Sequence, residues 1–130
     1  MIDLQETGRI KDAIDKNPEN YQQIIDSTKL GICVTNEDGN YTSMNNAYLA
    51  ILGYAREEMV GKSFLMVVPP AQKEELKDLH DEFIELQIEI FDEFAILNKK
   101  GEKIKIGVDA GFSDKIEGKP HKLTFIDPIA

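Results

Sequence analysis

The run Gly31-Ile32-Cys33-Val34-Thr35-Asn36-Glu37-Asp38-Gly39-Asn40-Tyr41-Thr42-Ser43-Met44-Asn45 decides the fold. Gly31 to Thr35 has the composition of a strand, Asp38-Gly39 is a two-residue turn signal, and Tyr41 to Met44 returns as a second strand. An antiparallel hairpin therefore opens a sheet. Asn45 follows as the cap of a short helix through Leu52, since its side-chain oxygen can accept a free amide of the first turn. Gly53 supplies the left-handed residue that ends it. One more helical turn, Arg56-Glu57-Glu58-Met59, finishes at Gly61.

Downstream, Pro69-Pro70 launches the longest helical pattern, predicted over residues 71–89. Leu76, Leu79, His80, Phe83, Leu86, Gln87 and Ile90 recur at three- and four-residue steps and share a face. Glu74, Glu75, Asp78, Asp81, Glu82, Glu85 and Glu89 make the other face acidic, as a solvated surface would be. Three strands follow: Phe91 to Leu97, Lys103 to Phe112 and Lys122 to Ile126. Ile104, Ile106 and Val108 alternate with Lys103, Lys105 and Gly107, which predicts a strand covered on a single side. The two strand groups are expected to join into a five-stranded antiparallel sheet with helices across one face, an α+β domain of two layers.

Upstream, Asp3 and Glu6 resemble a capping box before a thin apolar stripe of Leu4, Ile10, Ala13 and Ile14. Asn17-Pro18 stops that helix and starts another, with Tyr21, Ile24 and Ile25 on one side. Residues 1–20 are expected to be a helical extension, and 21–130 the domain proper.

The bulk composition narrows the function. With 130 residues and 42% hydrophobic content, the chain can bury one core and not two. A formal net charge of -9 speaks against nucleic acid and against anionic membranes as partners. Cys33 is the only cysteine, which excludes an intramolecular disulfide. With only His80 and His121 besides, no metal site is expected. The N-terminus lacks the basic start and apolar run of a signal peptide, and no stretch is long enough for a membrane span, so a cytoplasmic setting is expected. GxSxG, P-loop and HExxH patterns are missing, as is a histidine-kinase signature, and no enzyme is expected. The nearest catalytic arrangement would set Asp109 beside Tyr48 or Tyr54 as a proton shuttle, which needs a raised pKa in an apolar pocket.

The order of elements and the punctuation inside them resemble the PAS family. The residues that carry the resemblance are Gly31 to Gly39, then Asn45-Asn46-Ala47-Tyr48, Leu52-Gly53-Tyr54, and Glu57-Glu58-Met59-Val60-Gly61-Lys62. Val67-Val68-Pro69-Pro70 resembles the segment before the family's long helix, and Asn98-Lys99-Lys100-Gly101 its turn between the third and fourth strands. Asp38, Gly39, Asn45, Gly53, Gly61 and Gly101 are the motif residues. The likeness spans about Tyr21 to Asp127. The sequence departs from the family pattern at Ala55, where a capping Ser, Thr or Asp is usual and a frayed turn is expected. It departs again at Lys100, and at Pro128, which interrupts an Asp-Ile-Thr pattern that leads into an output helix.

The resemblance implies a signal-transduction sensor, such as a component of a two-component system, that binds a small molecule or a partner and relays its state. It places Ile32, Phe64, Met66, Leu79, His80, Phe83, Phe94, Ile96, Ile106, Val108 and Phe125 around a ligand pocket; the competing possibility is that they fill a core. No particular cofactor follows. The alternative is a haem-binding gas sensor, because His80-Asp81-Glu82-Phe83-Ile84 resembles the stretch that presents the proximal histidine in such sensors. The spacing from Pro69-Pro70 is a helical turn longer here, and no arginine lies on the last three strands. Cys33 reads as a small buried residue and not as a flavin-adduct cysteine. The family also implies a homodimer through the N-terminal helix and the sheet, against which stands a helix folded back on its own sheet. A structural dimerisation domain without ligand is the remaining alternative.

Overall fold

The hairpin forms as expected, and its turn shows why. In this computed structural model, which describes residues 2–129, β1 (Gly31–Asn36) and β2 (Tyr41–Met44) pair antiparallel. Asn36 Oδ1 accepts the amides of Asp38 and Asn40, each at 3.0 Å, while Asp38 itself is exposed. Gly39 has φ 82° and donates its amide to the Asn36 carbonyl at 2.9 Å. A Cβ there would stand 3.1 Å from the Phe64 ring, so the turn requires glycine for both its conformation and its space.

Asn45 does more than cap. Its Oδ1 accepts from the Tyr48 amide, starting α3 (Asn46–Leu52), and also from the Ile32 amide of β1, both at 3.0 Å. Its Nδ2 donates to the carbonyls of Ile25 at 2.8 Å and Leu30 at 2.9 Å. One buried amide therefore ties together a helix start, a strand and the segment before it. Gly53 ends α3 with φ 78°, and Gly61 and Gly101 also have positive φ. In α4 (Arg56–Met59) the turn expected to fray is held from the other side: Glu58 Oε1 accepts the Ala55 amide at 2.9 Å.

The long helix is shorter than its apolar spacing predicts. Turns of 3-10 helix at Phe64–Val67 and Pro70–Gln72 precede α5, which runs Lys73–Leu86. Gln87 adopts a left-handed φ of 57° and its amide closes on the Phe83 carbonyl at 2.7 Å, ending the helix. Ile90, placed by its spacing on the helix face, is instead the first residue of β3 (Ile90–Leu97). The carboxylates of α5 named above face solvent.

With β4 (Lys103–Ser113) and β5 (His121–Pro128), the sheet has the order β2-β1-β5-β4-β3. The antiparallel β1–β5 pair joins the two hairpins, with Ile32 opposite Phe125 and Thr35 opposite Lys122. Helices α3 to α5 cover one face of it. The other face is covered by α1 (Leu4–Lys16), from the N-terminal extension, and by α2 (Tyr21–Asp26). Ile14 and Ile25 pack there with Ile32, Val34, Leu123 and Phe125. The single covered side expected from β4 therefore holds only for its first residues; from Val108 to Gly111 the strand is buried throughout.

Asp109 fixes α1 to this second face. It is wholly buried, accepts a hydrogen bond from Thr7 Oγ1 at 2.6 Å, and has Lys11 Nζ at 3.4 Å. Lys11 also reaches Glu89 at 3.1 Å. Strand alternation sends Asp109 away from Tyr48, which lies on the α3 side, so the acid–tyrosine arrangement considered from the sequence does not form. Among the described residues no helix is long and apolar enough to cross a membrane.

Candidate functional site

Between the sheet and α5 lies a cavity of about 90 Å³. For scale, a cavity of roughly 150 Å³ holds benzene. Of the residues expected around it, Phe64, Leu79, His80, Phe94, Ile96, Ile106 and Val108 do line it. Met66 and Phe83 belong to the adjoining core and are not among the lining residues. Ile32 and Phe125 are on the opposite face with Ile14 and Ile25. The correction is one of strand parity: Cys33 and Thr35 of β1, and Lys122, Thr124 and Ile126 of β5, point into the pocket in their place.

The walls are apolar and the polar groups are few. Tyr41 and Tyr48 satisfy each other, hydroxyl to hydroxyl at 2.7 Å. Burial holds both phenols well above their usual pKa and pushes the Cys33 thiol up to about 11, so the thiol is protonated and a poor nucleophile at neutral pH. Among the described residues, three buried side-chain atoms lack a hydrogen-bond partner: Thr35 Oγ1, Thr124 Oγ1 and His80 Nδ1. All three residues line this pocket. Thr124 has only the weak contact of the neighbouring Cys33 thiol.

Lys122 is the residue the sequence reading missed. It is 8% exposed, and its Nζ stands 4.3 Å above the Phe64 ring and makes no ion pair among the described residues. Loss of hydration lowers its pKa to about 8. The signal lay in the order of strands: β5 is central, so a lysine on it has no open face to occupy.

His80 is buried and hydrogen-bonds through Nε2 to the Glu37 carbonyl at 2.9 Å. A carbonyl only accepts, so Nε2 carries the proton and Nδ1 presents a bare lone pair. Burial, followed by the Lys122 charge, lowers the pKa of His80 to about 4. Acidification should therefore cost stability. The unfolded chain takes up a proton near pH 6.5 that the folded chain refuses until about pH 4, so up to about 3 kcal/mol is lost across that window. Urea denaturation at pH 7 and pH 4.5 checks this: His80→Gln should shrink the wild-type loss, and an equal loss in both proteins would contradict it.

The residues present do not fit a haem. His80 spends Nε2 on Glu37, and the cavity is well below the roughly 300–1,000 Å³ of drug-sized sites.

Comparison with known proteins agrees with this architecture. No curated protein matches the chain. Among solved structures, the PAS domain of an HTR-like protein from Haloarcula marismortui is similar with a TM-score of 0.73 at 18% identity, covering 94% of this chain and 99% of that one. The PAS domain of a Desulfitobacterium hafniense protein has a TM-score of 0.74 at 19% identity, covering 82% and 99%. The PAS domain of the RpfR quorum-sensing receptor from Cronobacter turicensis, in complex with BDSF, has a TM-score of 0.67 at 16% identity, covering 79% and 96%. At these identities the likeness shows the fold alone. The family model described as the PAS fold matches residues 19–126. With five strands in the order found here and a family match over most of its length, the chain belongs to the PAS family.

Proposed function

We propose that this PAS domain is a signal-transduction sensor that takes a small ligand in the pocket between the sheet and α5 and relays occupancy to α1. One observation carries the reading: the unpartnered buried polar atoms found among the described residues all sit on one apolar cavity. Orphaned buried groups cost stability, and their concentration at a single cavity is what a binding site needs and a filled core avoids. That the RpfR receptor domain was solved with BDSF supports a ligand role for this fold.

The relay follows from strand parity. On β4, Val108 and Ala110 line the pocket, while Asp109 between them holds Thr7 and Lys11 of α1. A ligand that alters the bend of β4 changes the seat of α1, biasing the domain between two packings. Hydrogen exchange tests this. Asp109→Asn should speed exchange in residues 4–16 while the central strands keep their protection, and a bound ligand should change α1 exchange in wild type. Unchanged α1 exchange on ligand binding would remove the relay.

Assembly as a homodimer belongs to the same proposal, on a narrower basis. Here α1 packs Ile10 and Ile14 against its own sheet and leaves Leu4 exposed. Sedimentation equilibrium decides it: a monomer at micromolar concentration removes the dimer from the mechanism.

A further inference from the structure

The polar groups of the pocket differ in what they can accept, and together they describe a ligand. Lys122 is a buried cation that makes no ion pair among the described residues. Its offset to the Phe64 ring is a cation–π contact, which compensates only part of the hydration given up. Across the strand pair, Thr35 stands directly opposite Lys122 on the same face, and Thr124 opposite Cys33 one step along. Directly opposed residues have Cβ atoms roughly 4.5–5.5 Å apart. Thr35 and Thr124 therefore share the pocket face of the sheet with Lys122, the Thr35 hydroxyl without a partner among the described residues and that of Thr124 with only the Cys33 thiol. His80 packs against the same Phe64 ring, centroids 5.4 Å apart, lines the same pocket as Lys122, and offers an acceptor only.

From this geometry we infer that the pocket takes a small monocarboxylate bearing a hydroxyl, its carboxylate on Lys122 and Thr35 and its hydroxyl donating to His80 Nδ1. The inference rests on the sensor reading above and names its ligand class. One ammonium balances one negative charge; a dianion would bring a second, uncompensated charge into an apolar site. A cationic ligand would meet Lys122 and find no anion. The cavity, at about 90 Å³, limits the ligand to a few non-hydrogen atoms. Thr35 and Thr124 can donate to carboxylate oxygens, whereas His80 Nδ1, having no proton, would repel one and needs a donor.

The test uses the 130-residue chain and three-carbon probes, with lactate, propionate and lactamide titrated by isothermal calorimetry and by amide chemical shifts of β1 and β5. Lactate should bind most tightly. Lactamide should be weaker by on the order of tenfold to a hundredfold, the range for loss of a hydrogen bond to a charged group. Propionate should fall between them. Lys122→Met should remove the preference for acid over amide, Thr35→Val should weaken both acids, and His80→Leu should remove the preference of lactate over propionate. Equal binding of lactate and lactamide, or an acid preference that survives Lys122→Met, overturns the inference. If uncharged molecules shift the pocket resonances and the acids do not, the ligand class falls and the sensor reading stands. If no small molecule of either kind perturbs the pocket, both fall.

Discussion

Replacing Lys122 with methionine is expected to raise the melting temperature at pH 7 by about 10 °C. Methionine keeps the length and much of the volume of the lysine stem and removes the charge. Burial lowers the lysine pKa from 10.5 to about 8, a difference worth about 3 kcal/mol against the protonated folded state at neutral pH. The sign is set by proton uptake. Between pH 8 and 10.5 the unfolded chain binds a proton that the folded chain has released, so wild-type stability rises with pH through that window. The methionine protein lacks this rise, and the two stability curves should converge above about pH 10.5. Thermal denaturation at pH 7 and pH 10.5 measures both parts. A variant no more stable than wild type at pH 7 would show that the ammonium is well solvated and that the pocket charge is cheap. A stabilising loss of a buried charge is the pattern expected where a residue is kept for binding at the expense of folding.

Asn45→Ala should have the largest effect in the opposite direction, a loss of about 4 kcal/mol. Four hydrogen bonds of 3.0 Å or less end on that side chain, from the amides of Tyr48 and Ile32 and to the carbonyls of Ile25 and Leu30, with a longer one at 3.5 Å to the Thr28 carbonyl. The helix cap alone is worth about 1 kcal/mol. The remaining groups lie in a buried site, where each one left unpaired costs roughly 1–3 kcal/mol, and partial rearrangement recovers some of it. Asn45→Asp separates the two roles, because it keeps the acceptor for Tyr48 and Ile32 and loses the donor to Ile25 and Leu30. Chemical denaturation should rank wild type above Asp and Asp above Ala. An alanine variant within 1 kcal/mol of wild type would show that Asn45 is a cap and nothing more.

These two residues mark the limits of what could be read from the sequence. Asn45 was legible, because capping is local: an asparagine before an apolar run, three residues ahead of the amide it binds. The turn at Gly39 and the helix stop at Gly53 were legible for the same reason. The boundary at Gln87 was not, since the spacing of Ile90 satisfies a helix and a following strand equally well. The site was legible in part. Residues on β3 and β4 fell on the expected face because Lys103 and Lys105 mark the other side of their strand. On β1 and β5 no such marker exists: Ile32 and Cys33, or Phe125 and Ile126, are all apolar, so composition does not tell the two parities apart. The continuous run Gly31 to Thr35 is itself a sign of burial on both faces. Read that way, it places α1 on the back of the sheet and makes Lys122, on the strand between β1 and β4, an interior residue.

A sheet with two interiors has a mechanical consequence. Cys33 and Val34, Asp109 and Ala110, Lys122 and Leu123 are neighbours in the chain whose side chains lie in different compartments. Sliding any of these strands by one position would exchange its contributions to the two compartments: on β5 it would place an ammonium beside isoleucines, and on β4 a carboxylate in the apolar pocket. Slippage is thereby closed to this domain as a way of responding. The relay we propose is confined to twisting of the strands in place, or to lifting of the helix that rides on their back.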